Sequence, residues 1–374
     1  MKIGFDAKRL FLNQTGLGNY SRDLVRGILE ENTANDYFLF TTKEVDNSRT
    51  KFIKEYDNVE VVSPKSFYKR FKSYWRSVRL EKVLKKYNID VFHGLSHEIP
   101  RNNKINKIKY VVTIHDLIFI RCPDNYSVFD RKLYTQKVKY ACKNADVIIA
   151  ISEQTKRDLI EFLEVEEERI KVVYQTCSDI FDMKADYRVQ TMVRKKYNLP
   201  TKYMLSVGTI EKRKNLELVI RAMDKMKTDI PLVVVGKKTT YFEQIESEIE
   251  KFGLKKKVIF LENVDFIELP ELYQSASLFV YPSVFEGFGI PILEALYSKT
   301  PVIAATGSCL EEAGGPNSIY VEPTNYLDLA VQMDKVLNDE SLQTEMKEKG
   351  YEYAKKFSLK KQAKEVLAVY KELV

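Results

Sequence analysis

The sequence lacks the features that mark secreted, membrane-spanning and metal-stabilised proteins. Its four cysteines, Cys122, Cys142, Cys177 and Cys309, include no C-x-x-C pair and form no cluster with histidine. This pattern predicts reduced structural thiols in a cytoplasmic protein, with no disulfide framework and no zinc site. No run approaches about 18 consecutive apolar residues, and the N-terminus has no apolar stretch, so neither a transmembrane helix nor a signal peptide is expected.

Two nucleotide-binding motifs are also absent. No G-x-x-x-x-G-K-S/T sequence occurs, which argues against a P-loop ATPase. Gly16 and Gly18 resemble the start of a dinucleotide fingerprint, but Ser21 stands where the third glycine belongs. These glycines also lie too far from the first predicted strand for the tight turn of that motif. A nicotinamide-dependent dehydrogenase is therefore a distant alternative.

The bulk composition indicates a globular protein of two domains, and its charge is compatible with an anionic partner without requiring one. The chain has 374 residues, of which 44% are hydrophobic and 30% charged, enough to bury two substantial cores. The net charge of +7 and the pI near 8.8 fit a nucleotide or an acidic membrane surface. An excess this small is also common in proteins that bind no anion.

Short apolar runs alternate with helical patterns along the chain, which predicts an α/β fold with parallel sheets. The first predicted strands are IGFDA, YFLFTT, VEVV, DVFHG, YVVTI, ADVIIAIS and IKVVY. A polar stretch near residues 180–200 interrupts the pattern, and we place a domain boundary there. A second series follows: YMLSVG, PLVVVG, KVIFLE, SLFVYPS, PVIAA and SIYVE. From residue 325 onward the pattern is nearly all helical.

One strand exit carries two carboxylates around a glycine-broken turn. The stretch VFEGFGIPILEAL, residues 284–296, leads from a strand into a helix predicted from about Pro291 to Tyr297. Backbone amides at the start of this helix can bind a phosphate or sugar hydroxyls. Glu294 can accept two vicinal hydroxyls of a ribose or a pyranose. A glutamate that only stabilises the helix N-terminus is the alternative for Glu294.

Glu286 and Glu294 resemble the E-x7-E motif of family 4 retaining glycosyltransferases with the GT-B fold. Further segments resemble the family in the same order: TGLGNYSRDLVRGI, DVFHGLSHEIP, VVTIHDLIFIRCP, SVGTIEKRKNLELVIRAM, LPELYQSASLFVYPS and FSLKKQAKEVLAVYKEL. The resemblance implies two Rossmann-like doubly wound domains that face each other across a cleft. Residues 1–185 would bind the acceptor and residues 186–355 the nucleotide sugar. Residues 356–374 would form a helix that crosses back to the N-terminal domain.

The resemblance also implies a donor site in the C-terminal domain. Glu294 is expected to bind the ribose, and Glu286 the donor sugar together with the backbone of Phe288, Gly289 and Ile290. Each residue carries a group that can bond a hydroxyl or a phosphate oxygen.

Two cations are expected beside the diphosphate of the donor. Arg213 and Lys214 follow a strand and a short loop and open a predicted helix, where positive side chains are unfavourable without an anion. The resemblance implies that they neutralise the departing diphosphate; a solvated basic helix start is the alternative. Thr209 belongs to the same predicted donor site, and Asn263 and Val264 are expected to flank the base.

Histidines and glycines of the first half complete the expected site. His115 ends the strand YVVTI, and the resemblance implies that it contacts the donor sugar near the reacting carbon; a structural histidine is the alternative. His97 is a candidate acceptor contact, whereas His93 is expected to be a packing residue. Gly16 and Gly18 are expected to form a loop that approaches the diphosphate, with a plain flexible loop as the alternative.

Residues 65–87 form a basic stretch with aromatic side chains at helical spacing. Phe67, Phe71, Tyr74 and Val78 share one predicted helical face, and Trp75 is the only tryptophan. Such a helix is typical of an element that contacts an anionic membrane surface. A packed helix with a solvated basic face is the alternative, and nucleic acid is disfavoured because no supporting motif occurs.

The residues and the resemblance together predict a retaining hexosyltransferase for cell-surface polysaccharide such as lipopolysaccharide or capsule. No D-x-D sequence occurs, so metal-independent transfer without a cofactor is expected. GDP-mannose is the first candidate donor, and a glycan or lipid-linked molecule the candidate acceptor. The expected location is the cytoplasm, peripheral on the inner face of a bacterial membrane. The alternatives are a nucleotide-sugar 2-epimerase of the same fold and a non-catalytic nucleotide-sugar-binding subunit.

Overall fold

The computed structural model describes residues 1–64, 70–101, 107–123, 126–184 and 186–374, with the backbone alone for Tyr187. The chain divides into two compact units. The first contains Met1–Thr176 together with Phe357–Val374, and the second contains Cys177–Lys356. The first unit thus ends before the proposed boundary at residue 185, which itself lies outside the described ranges.

The first unit is built on a seven-stranded parallel sheet with the order β3-β2-β1-β4-β5-β6-β7. Every run predicted as a strand in the first half of the chain forms one. Its strands β1 to β7 are Lys2–Asp6, Asp36–Phe40, Val59–Val62, Val91–Gly94, Lys109–Ile114, Val147–Ala150 and Ile170–Val172. Most central-strand residues are buried, as expected for a sheet covered on both faces.

Helices cover both faces of this sheet. Those in its main segment, α1 to α7, are Lys8–Leu12, Gly16–Glu31, Lys72–Tyr74, Leu80–Lys86, Ile118–Arg121, Val128–Asn144 and Glu153–Leu163. The C-terminal helix α16, Leu359–Leu373, packs against α2 and shares a core with it. Serine side chains accept a hydrogen bond from the backbone at the N-termini of α6, α7 and α16, which fixes where these helices begin.

The basic aromatic stretch differs from the single helix predicted over residues 67–87. Residues 65–69, including Phe67, lie outside the described residues, and the helix has a π-helical turn at Trp75–Arg79 between α3 and α4. Trp75 is buried in the core, while Phe71, Tyr74 and Val78 are exposed by 54%, 52% and 37%. The extra residue of a π-helical turn shifts the helical faces. In this helix Trp75 is therefore packed, while the neighbouring Phe71, Tyr74 and Val78 are exposed.

The second unit is built on a six-stranded parallel sheet with the order β10-β9-β8-β11-β12-β13. Its strands β8 to β13 are Met204–Val207, Leu232–Val235, Val258–Leu261, Leu278–Tyr281, Val302–Ala305 and Ile319–Val321. Its helices α8 to α15 are Tyr187–Lys196, Leu216–Lys225, Phe242–Lys251, Leu269–Gln274, Ile290–Tyr297, Leu310–Gly314, Tyr326–Asn338 and Glu340–Ala354. The predicted α/β class, with two doubly wound parallel sheets, is confirmed.

Both sheets contain a point where the direction of strand addition reverses. In the first unit this point lies between β1 and β4, and in the second between β8 and β11. In open α/β sheets, ligands bind beyond the carboxyl ends of the strands at such points. In the described part of the chain, no helix combines the length and the apolar composition needed to cross a bilayer.

Candidate functional site

The candidate site of the second unit lies at its reversal point. The segment after β8 runs through Gly208 and Thr209 to a 3-10 turn at Lys212–Lys214, and the segment after β11 runs through Glu286 to the start of α12. The two segments are joined by their backbones, because the amide of Val284 donates to the carbonyl of Arg213 over 2.9 Å. The sequence-predicted cations and the first glutamate of the motif are therefore brought together.

Glu286 is held by two cations and two hydroxyls. Its Oε1 accepts hydrogen bonds from Lys214 Nζ at 2.6 Å, Ser283 Oγ at 2.5 Å and Tyr281 Oη at 3.1 Å. Its Oε2 lies 2.7 Å from the guanidinium of Arg213. Lys214 Nζ also donates to Tyr281 Oη at 2.6 Å. These contacts leave the carboxylate buried and fully satisfied.

Two opposing effects set the pKa of Glu286. Burial alone would raise it, but the positive charges of Lys214 and Arg213, with hydrogen bonds from Lys214 and Ser283, outweigh burial and lower the pKa to about 2. Glu286 is therefore ionised at neutral pH and holds no proton to donate. The same charges contribute stability above the ordinary carboxyl pKa of 4.5, which is lost as the pH falls towards 2.

Arg213 and Lys214 precede the helix rather than open it, which corrects the prediction. Helix α9 begins at Leu216, and Asn215 adopts a left-handed backbone conformation with φ of 57°. The Asn215 side chain donates to the carbonyls of Pro282 and Pro323 at 3.1 and 2.8 Å. Asparagine tolerates this conformation better than most residues. It thereby fixes the turn that carries both cations.

Glu294 lies in the fifth position of α12, beyond the first helical turn. This position excludes the alternative in which Glu294 acts in the first turn on the helix dipole. Its Oε2 accepts a hydrogen bond from Tyr273 Oη at 2.8 Å, and no other described side chain donates to it. Burial raises the pKa of Glu294 to about 7, against the smaller lowering effect of the Tyr273 bond. An incompletely satisfied carboxyl of this kind can accept ligand hydroxyls.

The raised pKa of Glu294 predicts a pH-dependent stability. The folded chain keeps this proton where the unfolded chain has lost it, so the free energy of unfolding should fall as the pH rises from about 4.5 to about 7. We expect a loss of about 3 kcal/mol, from 1.36 kcal/mol per pKa unit. Denaturant unfolding at about pH 5 and about pH 8, compared between wild type and Glu294→Gln, measures it. An equal pH response of the two proteins would contradict the prediction.

The remaining predicted donor residues of the second unit occupy different environments. Phe288 is 2% exposed, and Gly289 has φ of 117°, a backbone conformation that suits glycine, immediately before α12. Ile290 is the first residue of that helix. Thr209 is exposed and lines the same small cavity as Lys214, which follows it in the chain. Asn263 and Val264 follow β10 and form no hydrogen bond with Glu286 or Lys214.

His115, in the first unit, is a buried neutral histidine. Its Nε2 lies 2.9 Å from the carbonyl oxygen of Leu95, and its Nδ1 lies 2.9 Å from the amide nitrogen of Gln175. A carbonyl can only accept, so Nε2 carries the proton and Nδ1 accepts from Gln175. Burial, with the nearby His97, lowers the pKa of His115 to about 3. Both ring nitrogens are therefore engaged within the protein.

The other two histidines differ in how well they are satisfied. His93 Nδ1 lies 2.5 Å from Tyr370 Oη on α16, and its Nε2 lies 2.8 Å from Thr113 Oγ1, which is the structural role expected for it. His97 has φ of 59°, and its buried Nδ1 has no hydrogen-bond partner among the described residues. Burial lowers the pKa of His97 to about 4. An orphaned nitrogen of this kind is compatible with a ligand contact.

Gly16 and Gly18 are the first and third residues of α2, not a loop before the first helix, which corrects the prediction. The Asn13 side chain accepts hydrogen bonds from the amides of Thr15 and Gly18 at 2.8 and 3.2 Å, so the helix starts earlier than the glycines suggest. A Cβ at Gly18 would lie 2.0 Å from the backbone oxygen of Asn13, whereas one at Gly16 would meet open space. Of these two positions, only residue 18 requires glycine for steric reasons.

This difference predicts opposite outcomes for two alanine substitutions. Gly18→Ala should lower the free energy of unfolding by about 1–3 kcal/mol, because the turn at Asn13 must move. Gly16→Ala should leave stability unchanged or raise it by up to about 1 kcal/mol, since alanine is the better helix former. Urea unfolding of both variants measures this, and a loss shared equally by Gly16→Ala would contradict the steric explanation.

Sequence reasoning missed the neutral side chains that complete the site. Ser283 and Tyr281 bond Glu286, Tyr273 bonds Glu294, and Gln175 fixes the tautomer of His115. Ser283 and Tyr281 could have been found, because Tyr281 ends the strand that precedes the motif and Ser283 lies two residues beyond it. Tyr273 and Gln175 carried no such signal, since each meets its partner only through tertiary packing.

Comparison with known protein families agrees with the fold of both units. Residues 189–353 match the family model described as "Glycosyl transferases group 1". Residues 15–176 match the model described as "Glycosyltransferase Family 4". The two matched ranges fall in different units and together span most of the chain.

Individual relatives agree with these family matches. The chain is 25% identical to O-antigen chain mannosyltransferase B of Escherichia coli over 99% of this chain and 100% of that one. It is 30% identical to an uncharacterised glycosyltransferase of Methanocaldococcus jannaschii over 79% of this chain and 80% of that one. The crystal structure of HepE from Anabaena, in complex with UDP and glucose, matches the fold with a TM-score of 0.77 at 17% identity, covering 100% of both chains. This chain therefore belongs to the group 1, family 4 glycosyltransferases of the GT-B fold.

Proposed function

We propose that the protein transfers a hexose from a nucleoside diphosphate sugar to a glycan or lipid-linked acceptor, with retention of anomeric configuration and without a metal ion. The observation that carries this proposal is the cluster of Lys214, Arg213 and Glu286 at the reversal point of the second sheet. Two half-buried cations beyond the carboxyl ends of the strands are suited to bind a diphosphate.

In this proposal the diphosphate competes with Glu286 for the two cations. Lys214 and Arg213 each contact the Glu286 carboxylate within 2.7 Å. A doubly charged diphosphate brings more negative charge than one carboxylate, so it can share or replace these contacts. Glu286 is then freed to accept hydroxyls of the donor sugar, beside the backbone of Phe288, Gly289 and Ile290. The cations stabilise the charge that develops as the diphosphate departs.

We propose that Glu294 binds the ribose of the donor. Its carboxyl is buried and receives one hydrogen bond, from Tyr273, so it has accepting capacity left for two vicinal hydroxyls. Hydrogen bonds from ribose would favour the ionised form and lower the raised pKa of Glu294. Thr209 is proposed to contact the diphosphate, Gly16 and Gly18 to approach it, and Asn263 and Val264 to flank the base.

The reaction itself requires no nucleophile from the protein. The bond between the anomeric carbon and the diphosphate oxygen breaks, and the acceptor oxygen forms its bond on the same face. The acceptor proton passes to the departing phosphate oxygen. Glu286 is ionised and paired with two cations, which makes it a poor nucleophile and no general acid. Catalysis then rests on positioning and charge stabilisation.

Roles are also proposed for His115 and His97, and the hydrogen bonds of each ring decide how it can contact a ligand. His115 can contact the donor sugar through a ring nitrogen only if it releases Leu95 or Gln175, because both nitrogens are bonded within the protein. His97 needs no such exchange with the described part of the chain, where its Nδ1 has no hydrogen-bond partner. We propose His97 as an acceptor contact.

Mannose is the proposed hexose and cell-surface polysaccharide the proposed product class. The name of the Escherichia coli relative, an O-antigen chain mannosyltransferase, supports both, and GDP-mannose is the donor to test first. Peripheral contact with an anionic membrane on the cytoplasmic side is proposed for residues 70–87. The exposed Phe71, Tyr74 and Val78, on a strongly basic segment, support that contact.

A thermal-shift panel with GDP, UDP, dTDP, ADP and NAD tests the donor class. A ligand that binds only the folded chain raises its stability, by about 2.7 kcal/mol at a hundredfold excess over Kd. We expect one nucleoside diphosphate to raise the Tm, and GDP is the first candidate. A shift with NAD alone, or no shift with any ligand at millimolar concentration, would contradict the proposed function.

A further inference from the structure

A second cavity lies at the reversal point of the first sheet. It has a volume of about 800 Å³ and is lined by residues at or beyond the ends of three strands, among them Asp6 at the end of β1, Lys8 after it, Thr42 after β2 and Glu98 after β4. The rule that places ligands beyond the carboxyl ends of strands, where strand order reverses, applies here as it does in the second unit. This volume is ordinary for a small-molecule site and larger than one phosphate needs.

The floor of this cavity is a fixed network of charges. The Arg76 guanidinium donates to Asp6 Oδ2 from Nε at 2.8 Å and to Glu98 Oε2 from Nη1 at 2.5 Å. Lys137 Nζ donates to Glu98 Oε1 at 3.1 Å. The two acidic residues in the lining are thus neutralised by two of its five basic residues.

Three basic side chains of the lining remain without an acidic partner. Lys8, Lys72 and Arg101 form no ion pair with any residue that the structure describes. Lys8 is partly buried, while Lys72 and Arg101 are exposed. Burial, and then the charge of Arg76, lower the pKa of Lys8, whereas the charges of Glu98 and Asp6 raise it. The lining has five basic and two acidic residues, and this excess of positive charge would stabilise an anion.

The rest of the lining suits a sugar. Thr42, Ser73, Ser77 and Gln136 provide uncharged polar groups that can bond hydroxyls. Leu12, Val78 and Leu133 add apolar surface and are exposed by 41%, 37% and 38%. Such a wall can pack against the apolar face of a sugar ring or against a lipid chain.

We propose that this cavity binds the phosphate group of a glycosyl phosphate through Lys8, Lys72 and Arg101, and that this molecule is the acceptor. The role of this molecule as the acceptor rests on the proposed function, because an acceptor presupposes glycosyl transfer. The binding of its phosphate does not. The phosphate can belong to a free sugar phosphate or to a sugar joined to a lipid by a diphosphate. In both cases the phosphate enters the same positive field, and the sugar lies against the polar wall.

Binding in this cavity can be followed by tryptophan fluorescence. Trp75 is the only tryptophan of the chain, is 4% exposed, and directly precedes Arg76 in the cavity floor. We would titrate the full chain with a hexose 1-phosphate, with the uncharged hexose, and with a short polyprenyl diphosphate hexose in neutral detergent micelles. Calorimetry measures affinity, and Trp75 fluorescence reports whether the cavity is the place of binding.

We expect at least one phosphorylated probe to bind and to change Trp75 fluorescence, while the uncharged hexose binds at least tenfold more weakly. Binding of the hexose 1-phosphate indicates a free sugar phosphate, and binding of the polyprenyl probe alone indicates the lipid-linked source. The double variant Lys8→Gln/Arg101→Gln should weaken binding at least tenfold. Lys51→Gln, at an exposed basic residue of the first unit outside both the lining and residues 65–87, should not.

The inference is overturned if neither phosphorylated probe gives heat or a fluorescence change at about 10 mM, far above ordinary ligand affinities. It is also overturned if the cavity variant and Lys51→Gln lose binding equally. Nucleoside diphosphate binding, measured in the same preparations, separates this failure from a failure of the proposed function. If the chain binds GDP but no glycosyl phosphate, the proposed donor site stands and only the proposal for this cavity is contradicted.

Discussion

Lys214→Ala should lower the rate of hexose transfer at least tenfold while the protein stays folded. Lys214 Nζ bonds both Glu286 and Tyr281, and it is proposed to face the diphosphate when donor is bound. The substitution removes one of the two cations near the charge that develops on the leaving group. Loss of such a group typically lowers the rate by one to three orders of magnitude. The measurement is the turnover with the nucleotide sugar whose diphosphate gives the largest thermal shift.

Lys212→Ala is the matched control for this variant. Lys212 belongs to the same 3-10 turn, is exposed, and forms no ion pair with a described residue. Its removal changes the net charge by the same amount but takes no group from the cluster. Near-wild-type turnover of Lys214→Ala, or an equal loss in both variants, would remove Lys214 from its proposed role.

Glu286→Ala should cause the largest loss of stability at this site, and nucleoside diphosphate should restore part of it. The variant leaves Lys214 without its carboxylate partner and Arg213 with Glu211 alone, and removal of one partner from a buried ion pair typically costs about 3–5 kcal/mol. A bound diphosphate would supply the missing negative charge. The stabilisation by ligand should therefore be larger in the variant than in wild type, although turnover falls at least tenfold.

Urea unfolding with and without the nucleoside diphosphate measures this effect. Glu311→Ala provides a comparison, because Glu311 is an exposed glutamate of the same unit that contacts neither Lys214 nor Arg213. A stability loss below about 1 kcal/mol in Glu286→Ala would show that the ion pairs are better solvated than their burial implies. A ligand response no larger than that of wild type would contradict competition between Glu286 and the diphosphate.

The sheet architecture could be predicted from sequence because it depends on local patterns. Thirteen apolar runs bounded by polar residues each became a strand, and helix patterns between them required parallel pairing. The first glutamate and the two cations of the site were predictable for the same reason. Glu286, Arg213 and Lys214 all follow strands that are neighbours in the sheet, so the topology brings them together.

Features that depend on particular side-chain contacts, and not on residue patterns, were not predictable. The glycine pattern indicated a loop, yet Gly16 and Gly18 lie in the first turn of α2, where the Asn13 side chain accepts from the amide of Gly18. Helical periodicity also does not reveal the π-helical turn that begins at the buried Trp75. Likewise, His115 ended its strand as expected, but the bonds from Leu95 and Gln175 come from other segments of the chain.

The most direct test of the central claim is a comparison of two ligands on two proteins. Calorimetric titration of wild type and Lys214→Ala with a nucleoside diphosphate, and with the parent nucleoside, isolates the contribution of the diphosphate. We predict at least tenfold weaker diphosphate binding by the variant and an unchanged affinity for the nucleoside. Equal diphosphate affinity in both proteins would contradict the assignment of the Lys214, Arg213 and Glu286 cluster as the donor site.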